Sequence, residues 1–129
     1  MKAVEITLVG QQYYLTFNGV AMFAFEDAFG GSNTYLEKAG IAGREGFEAV
    51  CEAAAILAEQ GELARRVLGY DRGPLPDKNF FLACATPADM ILLRQAVLNA
   101  IVAGYGRQVE SEDDTDLGLL ELEQKKTKS

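Results

Sequence analysis

A chain of 129 residues with 49% hydrophobic and 24% charged side chains is sized for one globular domain with a modest core. Its net charge of −7 argues against a phosphate-binding surface, because nucleic-acid affinity needs clustered Lys and Arg; the charge favours solubility and fits a basic partner. It has no histidine, which removes the usual general base, the commonest zinc ligand and the usual member of a catalytic triad.

The opening stretch "MKAVEITLVG" lacks the apolar core and small-residue cleavage site of a secretory leader. With the strand that follows, it reads as a β-hairpin. Val4, Ile6 and Leu8 alternate with Glu5 and Thr7, and Tyr13, Leu15 and Phe17 alternate with Tyr14 and Thr16. Gly10-Gln11 is the expected turn. A lone hairpin is marginal in water, so one face must pack on the rest of the chain.

Next, "NGVAMFAFEDAFGG" predicts a helix capped by Asn18 and stopped by Gly30-Gly31. Val20, Ala21, Met22, Ala24, Phe25, Ala28 and Phe29 fill one broad arc, with Glu26 and Asp27 opposite. Phe23 falls between the acids. Burying such a ring gains about 1.5–3 kcal/mol, so either the hairpin or a loop covers it, or it is a partner contact. "SNTYLEKAG" is a short helical turn or loop. Gly40, Gly43 and Gly46 are evenly spaced but lack the lysine and strand-to-helix setting of a phosphate loop, and they read as flexible punctuation.

"REGFEAVCEAAAILAEQ" is the clearest amphipathic helix, with Phe47, Val50, Cys51, Ala54, Leu57 and Ala58 on one face. Glu48, Glu52 and Glu59 form an acidic stripe opposite. Carboxylates one turn apart suit metal or acid–base work, but without histidine they read as a solvated face. Gly61 reads as a break before a short basic helix, "ELARRVLGY", ending at Gly69. Its arginine pair is too little for a nucleic-acid patch. "DRGPLPD" is a loop, and "NFFLACA", carrying Phe80 and Phe81, is a short strand or a helix start. Cys51 and Cys84 both sit in apolar runs and read as buried thiols, which fits a reducing compartment.

"TPADMILLRQAVLNAIVAGYG" carries strong boundary signals: Thr86 as N-cap, Pro87 in the first turn, Asp89 three residues after the cap and Gly104 near the end. Its interior is apolar nearly all round, save Gln95, Asn99 and a lone Arg94. Such a helix is a core element, an interface element, or both. It is too polar for a membrane span. From Arg107 the composition turns acidic through Glu123, then ends in Lys125, Lys126 and Lys128; residues 107–129 read as a flexible, disordered acidic tail or linker after a domain of residues 1–106. The expected fold is α+β and predominantly helical, a hairpin packed on about four helices.

In order, "EITLVGQQYYLTFN", "GVAMFAFEDAFGG", "FEAVCEAAAILAEQG" and "TPADMILLRQAVLNAIVAG" resemble the tail assembly chaperones of long-tailed bacteriophages and prophages, over roughly residues 4 to 106. The resemblance implies a non-enzymatic protein of the host bacterial cytoplasm. It would hold the tape measure protein soluble, help tail tube subunits assemble on it, and be absent from the finished virion. It also implies the shorter of two products of a ribosomal slip, with Gln124, Lys125 and Lys126 in the slip region and the acidic stretch joining a second domain; a plain solvated lysine tail is the alternative. Phe23, Glu26, Phe80, Phe81, Gln95 and Asn99 are the expected partner contacts, with self-association through apolar helices. No nucleic acid, membrane, metal or cofactor is expected. Glu48, Glu52 and the hydroxyls of Tyr13, Tyr14 and Tyr105 are the best enzymatic candidates, but no spacing gathers them into nucleophile, base and oxyanion donor. The alternative of a different class is a small helical adaptor or regulatory interaction domain.

Overall fold

The computed structural model describes residues 2–106 and the backbone of residues 114–116. Strands β1 (Lys2–Leu8) and β2 (Gln11–Leu15) form the expected antiparallel hairpin, with Val4 opposite Leu15 and Ile6 opposite Tyr13. The alternation buries Val4, Leu8, Tyr13 and Leu15 on one face. The turn is Val9-Gly10, one residue earlier than expected, since Leu8 pairs with Gln11. Both turn residues have positive φ, 52° and 75°. That geometry follows the right-handed twist of the strands, and it outweighs the dislike of a β-branched residue for a left-handed backbone.

Helix α1 (Gly19–Phe29) starts where Asn18 accepts a hydrogen bond from the Ala21 N–H at 2.9 Å, and it ends at left-handed Gly30. Its buried arc is narrower than expected: Ala21, Phe25 and Phe29 face inward, while Val20 and Ala28 are exposed. Helix α2 (Ser32–Ala39) adds Tyr35, which meets Phe25 and Phe29 with ring centroids 5.2 and 5.1 Å apart. Phe17 joins through Phe25 at 5.3 Å, giving an aromatic cluster between hairpin and helices.

Helix α3 (Arg44–Val67) is the backbone of the fold and runs without interruption. The expected break at Gly61 is absent, and the separate basic helix is the last turns of α3. A Cβ on Gly61 would lie 1.7 Å from the Tyr14 carbonyl oxygen, so glycine here lets β2 lie against the helix. Beside it the Thr16 N–H donates to the Leu57 carbonyl at 3.1 Å, a main-chain link between strand and helix. Gly46 is likewise not loose punctuation: it lies in the first turns of α3, and a Cβ there would come 1.9 Å from the Ile41 carbonyl oxygen.

"NFFLAC" is helical: α4 (Lys78–Cys84) is capped by Asp77, which accepts from the Phe80 N–H at 2.8 Å, and packs on α3. Helix α5 (Pro87–Gly104) carries the capping box anticipated from Thr86 and Asp89, and packs on β1 and α3. Asp114–Asp116 forms a short strand, β3, antiparallel to Lys2–Val4 on the outer edge of β1. The sheet order is thus β2-β1-β3. Main-chain pairing of this kind needs an open strand edge rather than apolar side chains, so an acidic segment supplies it. The rest of the stretch read as tail, including Gln124, Lys125 and Lys126, lies outside the described residues.

Candidate interaction surface

Among the described residues, the core takes one side of α5 and leaves the other uncovered. Met90, Leu93, Ala96, Val97, Ala100 and Ile101 are buried, while Ile91 and Leu92 are 69% and 70% exposed. Leaving two large aliphatic side chains in water forgoes about 1.5–3 kcal/mol each. On the uncovered side Gln95 donates through Nε2 to Asn99 Oδ1 at 2.9 Å, so the two polar residues form one strip, as expected from their spacing.

A hollow flanks this ridge on each side. One, of about 380 Å³, lies between β1 and α5 and is bordered by Ile6, Leu8, Leu92, Gln95 and Asn99. The other, of about 720 Å³, lies between α2 and the second half of α5, with Leu36, Leu98, Val102 and Tyr105 along it. Sequence reasoning missed this second trough, because it depends on how α2 folds back. Arg94 is the charged residue exposed on this part of α5, and it makes no ion pair among the described residues. The nearby acid Glu48 is taken by Arg44 at 2.8 Å and Lys78 at 3.9 Å.

The remaining expected contacts divide. Phe23 is 60% exposed on α1, so neither hairpin nor loop covers it among the described residues, and Glu26 is exposed on the same helix. Phe80 is half-buried against Tyr13 at 5.6 Å. Phe81 cannot meet a partner: it is 0% exposed, turned into the core one position further round the short α4. Two adjacent phenylalanines on a helix point about 100° apart, so only one of the pair can lie at its edge.

The enzymatic candidates sit in separate surroundings. Tyr14 stacks under the Arg65 guanidinium at 5.0 Å, the Tyr105 hydroxyl meets Ser32 Oγ at 3.1 Å, and Tyr13 packs between Phe80 and Phe81. Among the described residues no group of three His, Cys, Asp or Glu side chains could hold a metal ion. No helix among them is long and apolar enough to cross a membrane.

The sequence also concealed a buried clamp at Glu62. Its carboxylate accepts from Arg65 at 2.6 Å, from Arg66 at 2.7 Å and from the Gly73 N–H at 2.7 Å, tying the proline-bearing loop to α3. Burial pushes the Glu62 carboxyl up, but these donors outweigh it and hold it below the usual carboxylate range. Arg65 is further held between the rings of Tyr14 and Tyr70, at 5.0 and 5.1 Å. The signal for the clamp was the spacing of Glu62 with Arg65 and Arg66, one helical turn apart.

No protein-family model, curated protein or solved structure matches the chain.

Proposed function

We propose that this protein is a bacteriophage tail assembly chaperone that binds the tape measure protein, keeps it soluble while tail tube subunits assemble, and does not remain in the virion. It is a binding protein rather than an enzyme, and it works in the host bacterial cytoplasm. The observation that carries this reading is the uncovered apolar side of α5, with Ile91 and Leu92 in solvent, on a chain of net charge −7. A tape measure protein is a long, mostly helical chain with apolar seams exposed before it is enclosed. An acidic protein with an apolar helix face covers such seams reversibly and keeps the complex in solution. Exposed Phe23 on α1 supplies a second apolar contact.

Co-expression tests it. A fragment of the tape measure protein encoded beside this gene is expected to move from the insoluble to the soluble fraction when this chain is present. An unchanged distribution, or a gene neighbourhood without tail tube and tape measure genes, favours the adaptor reading instead.

A further inference from the structure

The uncovered side of α5 has an internal period. Ala88, Ile91, Gln95, Leu98, Val102 and Tyr105 are separated by three and four residues in strict alternation. None of the six is buried. This is the spacing that presents knobs to a second helix; the core shares it at Tyr105, the residue that follows α5, whose ring meets Phe17 at 5.3 Å. The position nearest the middle is Gln95, whose Nε2 is engaged by Asn99 while its Oε1 accepts from no donor among the described residues. A single amide within an apolar seam costs stability but fixes register.

Charge selects the occupant. A second copy of α5 would bring another Arg94, and its one carboxylate, Asp89, is already engaged by the Thr86 N–H in the capping box. The trough beside the seam is entered at the start of α2, which has no side-chain cap and no acid in its first turn. Its free N–H groups, like Arg94, favour negative charge.

We propose that the α5 seam takes an amphipathic helix of a partner protein, one whose apolar residues repeat in heptads and whose flank places carboxylates against Arg94. The partner helix lies along the ridge, drops side chains into the α2–α5 trough beside Leu36 and Val102, and sets an amide or hydroxyl donor against Gln95. The inference rests on the chaperone reading only for the identity of that partner; the seam itself is tested without it.

The probe is a labelled synthetic peptide of about four heptads with Ile and Leu in the seam and Glu on both flanks, beside a scrambled peptide of the same composition. Fluorescence anisotropy is expected to show saturable binding of the heptad peptide alone. Ile91→Lys is expected to weaken it at least about tenfold. Arg94→Glu is expected to weaken it several-fold, and a peptide with Lys on its flanks is expected to recover that loss. Both substituted side chains are exposed, and unchanged thermal melting confirms that folding is intact. Val67→Lys, on the exposed end of α3, is the control expected to bind as wild type. Equal binding of the scrambled peptide, or binding indifferent to Ile91→Lys and Arg94→Glu, overturns the proposal. So does self-association abolished by the same two substitutions, which would make the occupant a second copy. Any of these leaves the co-expression result, and with it the chaperone reading, to stand or fall separately.

Discussion

Gly61 of α3 lies so near Tyr14 of β2 that a Cβ would sit 1.7 Å from the Tyr14 carbonyl oxygen. The hairpin is seated on the long helix at this point. Gly61→Ala would raise helix propensity by about 1 kcal/mol. It would also force strand and helix apart. We expect the clash to win, with a net loss of about 3 kcal/mol or more in chemical denaturation. Gly19→Ala, with open space around the new methyl, is the control expected to change stability little.

The hairpin turn stores strain at Val9, whose φ of 52° is left-handed and whose side chain is 72% exposed. Asparagine accepts that conformation, and Asn-Gly is the favoured pair for such a turn. Val9→Asn is therefore expected to stabilise the fold by about 1 kcal/mol, read as a raised denaturation midpoint. A lowered midpoint would mean that Val9 contributes packing that its exposure does not reveal.

The Glu62 clamp sets an acid-side dependence. Its folded carboxyl titrates below the ordinary range, so the stability it supplies is complete above that range and is lost as pH falls through the folded value. Glu62→Gln is expected to cost about 2–3 kcal/mol at neutral pH, since Arg65, Arg66 and the Gly73 N–H lose their shared acceptor charge. The variant should also lose less stability than wild type between neutral pH and about pH 3. An equal loss in both proteins would place the acid sensitivity elsewhere.

The cysteines should differ in reactivity. Cys51 is fully buried in α3, and burial pushes its thiol up to about 11; Cys84 is only half-buried. A thiol reagent at mildly alkaline pH is expected to modify Cys84 first and Cys51 only with denaturant. Equal rates at both would mean that α3 opens readily. Because the Cys51 thiol ionises more easily unfolded than folded, it lowers stability as pH rises above the ordinary thiol range.

Local signals were legible in the sequence. Asn18, Thr86 with Asp89, and Gly30 act through neighbours three or four residues away: the first two start their helices and Gly30 stops α1, each where expected. Gly61 looks like a helix break in the sequence because its partner, Tyr14, is supplied by a distant strand, and no local pattern separates a glycine that breaks a helix from one that admits a backbone. Phe80 and Phe81 cannot be told apart in the sequence because a run that short has no readable period, and the fold buries Phe81. The seam of α5 was hidden for a related reason. A helix apolar nearly all round does not say which side is core; the packing of α5 on β1 and α3 decides it, and leaves Met90, Val97 and Ile101 among the buried residues.

The most direct measurement follows a tape measure fragment as it leaves denaturant. Diluted alone, its apolar helices are expected to aggregate and scatter light. With this protein added in equal amount, scattering should fall sharply, and Ile91→Lys should restore much of it. Scattering unchanged by the wild-type protein would contradict the claim that this fold lends its uncovered helix face to shield another's.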